Sequence, residues 1–154
     1  MLNEAQRNSL RIILSLIEEK MRAVTFRLAH PEEQALMFEV HNDLSPDTPQ
    51  ALQEKVAEVS GLIQILRDRL ALPREIKPTS RELLTGLAQL WVLLQESDSQ
   101  GLGRFGDVHP AVSPTLDVHI ERLANLMLEM EDLISEHRRS LFVQTQGKRS
   151  ESQS

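Results

Sequence analysis

The chain has 154 residues, 40% of them hydrophobic and 26% charged, which is one domain's worth of sequence with enough apolar content to bury a core. Its formal charge of −6, from 17 Lys and Arg against 23 Asp and Glu, excludes the broad basic surface that a phosphate backbone requires, so no nucleic-acid partner is expected. With no cysteine it cannot form disulfides, thiolate metal centres or a cysteine nucleophile, and it suits a reducing cytoplasm.

Aromatic residues make up 3% and tyrosine is absent, so the core must come from Leu, Ile, Val and Met, which favours helix-on-helix packing. The N-terminus lacks the charged-then-apolar order of a signal peptide. No apolar run approaches the roughly 18–20 residues that span a bilayer. A cytoplasmic protein with no membrane partner is expected.

The first helix is predicted from about Asn3 to Ala29. Its ladder is Leu10, Leu14, Ile17, Met21, Val24 and Leu28, whose three- and four-residue steps place them on one helical stripe. Pro31 ends it, because proline disfavours helical geometry at His30. The same proline, followed by Glu32 and Glu33, suits the first turn of a new helix. A short extra helix is therefore expected from Pro31 to Asp43, carrying Leu36, Met37 and Val40.

After a turn holding Pro46 and Pro49, a second long helix opens on an Asp47–Gln50 capping box and runs to about Leu72. Leu52, Val56, Val59, Ile63, Leu66 and Leu70 form its ladder, and Pro73 and Pro78 stop it. A third helix opens on a Thr79–Glu82 capping box and ends near Ser97. Its ladder of Leu83, Leu87, Leu90 and Leu94 is doubled by Leu84 and Trp91. Glu96 to Ser113 is the longest irregular segment, and its glycines suit a left-handed end to the third helix. Ser113–Pro114 then opens a fourth helix, laddered by Leu116, Ile120, Leu123, Met127, Met130, Ile134, His137 and Leu141 and ending near Phe142. The fold expected is all-α: an antiparallel four-helix bundle over residues 1–143, with the short helix after Pro31 and a disordered polar tail over 144–154.

Bundles often hold metals between their helices, and a di-iron site needs Glu-x-x-His on inward faces. The residues three before each histidine are Arg27, Phe38, Gly106, Leu116 and Ile134, and the ladders are aliphatic, so no metal or cofactor is expected. The run from Gly101 to Gly106 has G-x-G-x-x-G spacing. It follows a helix rather than a strand and leads into Asp107-Val108-His109-Pro110, so a dinucleotide reading fails. No nucleophile motif is present, and no catalytic residue or enzyme activity is expected. What remains in that loop is Arg104 beside Phe105, a pair of residue types that anchors interfaces. Packing of Phe105 onto the bundle end is the alternative.

The first helix carries a second apolar stripe. Ile12, Leu16, Ala23 and Phe26 lie opposite its ladder with only Glu19 among them, whereas the fourth helix presents Glu121, Asn125, Asp132 and Glu136 there, with Leu128 as the exception. Either the chain's own loops cover that stripe or another subunit does, and a symmetric homodimer is favoured. The reading is a non-catalytic protein–protein interaction or scaffold module. It self-associates through the first helix or binds another protein, with Ile12, Leu16, Phe26, Arg104 and Phe105 as the interaction residues. The alternative is a small-molecule or phosphorelay-type signalling bundle. That reading uses a pocket near Trp91, Met127, Met130 and His137, or a phosphorylated His119, although His119 lacks the flanking pattern of phosphotransfer domains.

Overall fold

The computed structural model describes the backbone of residues 1–151 and the side chains of residues 1–145. The fold is mostly helical, with one small two-stranded sheet among the described residues. The chain forms two units, Met1–Glu75 and Ile76–Ser154.

In the first unit, α1 spans Glu4–Ala29. Asn3 opens it with a reciprocal cap: its side chain accepts the Gln6 amide at 2.9 Å, and its own amide donates to Gln6 Oε1 at 3.0 Å. No helix follows Pro31, which corrects the expectation for Pro31–Asp43. Two short antiparallel strands stand there instead, β1 (Glu33–Gln34) and β2 (Glu39–Val40), with Glu33 opposite Val40. A helix of that length is marginal by itself in water. Its apolar residues also have nothing to pack on, since Leu36 and Met37 stand fully exposed at the hairpin tip. The Arg27 guanidinium ties the strands to α1 through Glu33 at 2.9 Å.

α2 spans Thr48–Arg69. Asp47 precedes it, but its side chain caps no amide, so the expected Asp47–Gln50 box does not form. Ser45 and Thr48 hydroxyls meet at 2.6 Å at that end instead. The other end closes on Ala71, which takes a left-handed φ of 50° so that the Leu72 amide can donate back to the Arg67 carbonyl at 3.0 Å. That turn folds Leu72 into the unit, where it is buried. The end of α2 returns to the start of α1, with Glu75 3.6 Å from Arg11, so the two helices form an antiparallel hairpin.

In the second unit, α3 spans Thr79–Gln95 with Pro78 as its cap residue, and the expected Thr79–Glu82 box is absent. Its end is not left-handed either, because Glu96 has φ −95°. The segment read as irregular contains a one-turn helix, α4 (Ser99–Leu102), and a 3-10 turn over Gly103–Phe105. α5 spans Ser113–Glu151 and runs past the Phe142 end expected for it. Of the tail expected over 144–154, residues 152–154 and the side chains from 146 on lie outside the described residues. α3 packs along α5, and α4 also touches α5. Ser99, just past the end of α3, bonds to Asp117 near the start of α5, so this pair is antiparallel as well.

Each pair half-buries one stripe per helix. On α1 these are Leu10, Leu14, Met21, Val24 and Leu28, and on α2 they are Val56, Val59, Ile63 and Leu70. On α3 the half-buried set is Leu84, Leu87, Trp91 and Leu94, so Leu83 and Leu90 of the expected ladder turn outward. On α5 it is Leu116, Ile120, Met127 and Ile134, around a buried Ala124. Apolar burial goes little further, because Leu72 and Ala124 are the buried hydrophobic residues. Each unit is therefore an open two-helix layer, not a sealed core.

A left-handed backbone costs an L-residue about 1 kcal/mol that glycine avoids. Ala71→Gly is expected to stabilise the first unit by about that amount, measured as a rise in Tm or in the urea midpoint.

Candidate interaction surface

The apolar side chains left outside the two seams are not scattered. At about 100° per residue, Ile13, Leu16 and Ile17 step to one side of the α1 contact stripe. Leu62, Ile65 and Leu66 step the same way round from the stripe on α2. In an antiparallel pair, side chains displaced in the same rotational sense from each contact stripe fall on one flank of the hairpin. The first hairpin thus gathers exposed apolar residues on one flank, interleaved with Lys20 and Arg27 of α1 and Lys55, Glu58 and Arg69 of α2. Its other flank holds Arg7, Arg11, Glu18 and Arg22 of α1 with Ser60, Gln64 and Arg67 of α2.

Ile12 (48% exposed) and Leu16 (54%) of the sequence-read stripe sit one turn apart at the outer margin of this apolar flank. Phe26 (57%) is a separate feature further along α1, where its ring stacks on His30 at 4.5 Å between centroids. The α2 half of the surface was not singled out from sequence, because Leu62 and Ile65 stand off that helix's ladder. Only the direction of pairing places them beside Ile13 and Leu16.

Arg104 and Phe105 belong to the second unit, on a small knuckle built by three contacts. Asp98 caps α4 by accepting the Gly101 amide at 2.7 Å. Asp117 of α5 grips the same turn, accepting the Ser99 amide and the Ser99 hydroxyl, each at 2.7 Å. Those two bonds, the hydroxyl's first and the amide's second, hold the Asp117 carboxyl below its ordinary value of 3.8 against the opposing effect of desolvation. Gly101 is required by close approach, since a Cβ there would run into the Glu96 carbonyl. Gly106, with φ 139°, turns the chain away. Phe105 does not pack down as a plug. It is 77% exposed, with the Arg104 guanidinium 4.8 Å above its ring and 3.8 Å from Glu96.

Trp91 and Met127 are half-buried in the α3–α5 seam, while Met130 and His137 are exposed. His119 is exposed, with Nδ1 2.6 Å from the Thr115 carbonyl oxygen. Among the described residues no three His, Asp or Glu side chains gather closely enough to hold a metal, and no helix is long and apolar enough to cross a membrane. An open groove of about 1030 Å³ lies between the start of α1 and the end of α2, lined by Asn3, Arg7, Asn8, Arg11, Ala71 and Pro73 among others. No family model matches the chain, and neither a curated protein nor a solved structure is similar to it.

The Asp117 contacts have a pH signature. A carboxyl whose folded pKa is depressed contributes its full stabilisation above its unfolded value, here 3.8, and loses it as the pH falls through the lower folded value. Hydrogen exchange at the Ser99 amide is expected to speed up on acidification below that range, and Asp117→Asn is expected to flatten the dependence. Gly101→Ala is expected to cost about 1–3 kcal/mol in chemical denaturation. Gly103→Ala, with open space at its Cβ, is expected to be neutral or mildly stabilising.

Proposed function

We propose that this chain is a non-catalytic protein–protein interaction module that self-associates through the α1–α2 hairpin. The observation behind this reading is the exposed apolar flank formed by Ile12, Ile13, Leu16 and Ile17 on α1 with Leu62, Ile65 and Leu66 on α2. Exposed apolar side chains gathered on one side of a hairpin mark interaction sites. Two such flanks meeting face to face make an antiparallel four-helix bundle, with each copy supplying one hairpin and the polar flanks turned to water.

The magnitudes favour the whole flank over a single stripe. Covering a half-exposed Ile or Leu returns about 1 kcal/mol. Three residues on each of two copies give roughly 6 kcal/mol, near the low end of an association cost of about 4–15 kcal/mol. Seven on each copy give roughly 14 kcal/mol, which spans most of that range. Arg104 and Phe105 supply a second contact point, a stacked anchor on a fixed turn suited to a protein partner. The charge of −6 and the absence of cysteine support protein partners in a reducing cytoplasm.

The test is the mass in solution. The wild-type chain is expected to scatter light as more than one copy, and Ile13→Glu/Leu16→Glu/Leu62→Glu is expected to halve that mass with helical circular dichroism retained. A wild-type chain that is strictly monomeric at tens of micromolar would sink the reading.

A further inference from the structure

The structure assigns Met37 as a peroxide-modification site, where oxidation to the sulfoxide turns an apolar hairpin tip polar and leaves the fold intact. With no cysteine, the five methionines carry all of the chain's oxidisable sulfur. Their environments differ. Met21 and Met127 are half-buried in the α1–α2 and α3–α5 seams, and Met130 is 38% exposed on α5. Met37 is 92% exposed, exceeded only by the N-terminal Met1. The susceptibility of a thioether follows its access to the oxidant, so Met37 reacts ahead of every other internal methionine. None of the residues in the α1–α2 flank is a methionine, so this assignment stands apart from the self-association reading.

The hairpin holds that thioether out by construction. The Ala35 amide donates to the Phe38 carbonyl at 2.9 Å, closing a tight turn with Leu36 and Met37 at its apex. The Arg27–Glu33 ion pair, at 2.9 Å, pins the neck of the hairpin to the end of α1. Neither Leu nor Met is called for by such a turn, whose apex favours Gly, Asn, Asp, Pro and Ser. Leu36 stands fully exposed and Phe38 is exposed beside it, so the apex side chains contribute nothing to the packing of their unit.

Hydrogen peroxide is the oxidant. A sulfur lone pair forms the S–O bond as the O–O bond breaks. The departing oxygen takes the proton of the transferred one and leaves as water. Sulfur loses two electrons and the peroxide gains them. The product is a polar, chiral sulfoxide in place of a flexible apolar thioether. In either seam that group would sit among Leu and Ile side chains without a hydrogen-bond partner. At the apex water solvates it, so the modification changes the character of the tip and not the packing beneath it.

Peptide mapping by mass spectrometry, on the full-length folded chain after graded hydrogen peroxide, tests the assignment. Met37 is expected to gain oxygen at a rate close to that of Met1, with Met21 and Met127 about tenfold slower. Unfolding the chain in guanidinium chloride before oxidation is expected to erase that difference. Helical circular dichroism is expected to stay unchanged when Met37 is fully oxidised. Met37→Leu is expected to remove the fast internal event and leave the slow ones as they were. A folded chain in which Met37 oxidises no faster than Met21 or Met127 overturns the proposal. So does a loss of helix that tracks Met37 oxidation and is absent from Met37→Leu under the same treatment.

Discussion

Two helices lying side by side cannot enclose a core. Each covers one stripe of its neighbour, and apolar residues beyond that stripe stay wet until another layer arrives. Both hairpins of this chain are in that position. Their seams half-bury most ladder residues, and among the described residues Leu72 and Ala124 are the buried hydrophobic side chains. Many of the remaining Leu and Ile residues then gather on one flank, on the first hairpin interleaved with Lys20, Lys55, Glu58 and Arg69. The exposed apolar surface follows directly from a chain built as two-helix layers.

The helices were legible because their ladders repeat over many turns. Which stripe faces the seam was legible only where one candidate existed. On α1 and α2 the ladder residues lie in the seam, apart from Leu52, Leu66 and Ile17 at its margins. On α3 both Leu83/Leu90 and Leu84/Trp91 satisfy helical spacing, and periodicity has no means of choosing between stripes about 100° apart. The fold takes Leu84 and Trp91, which places the largest side chain of the helix in the seam. On α5 the buried residue is Ala124, too small to attract notice as a ladder position, while Leu123 turns outward.

Local signals misled where they were short. Asp47–Gln50 and Thr79–Glu82 match a capping box in sequence, yet neither side chain caps, whereas Asn3 and Gln6 form the reciprocal pair without having been singled out. A capping pattern states which bonds are available. Whether they form depends on how the chain enters the helix, and Pro78 takes the cap position ahead of Thr79. The segment after Pro31 shows the same limit, since apolar spacing over a few residues fits a helix and a strand hairpin alike. The Gly-rich run carried real information, but about geometry. Gly101 permits close approach to Glu96 and Gly106 supplies the positive φ, and between them Arg104 and Phe105 stand exposed.

The flank pattern also limits growth of an assembly. A hairpin that is apolar on both sides would stack without end, adding layers as an open fibre. Here each hairpin has a charged or polar flank opposite the apolar one: Arg7, Glu18 and Arg22 on the first, and Glu121, Asp132 and Glu136 on the second. In the proposed pairing of the first hairpin a third layer would have to desolvate those charges without partners, so two layers are its stopping point.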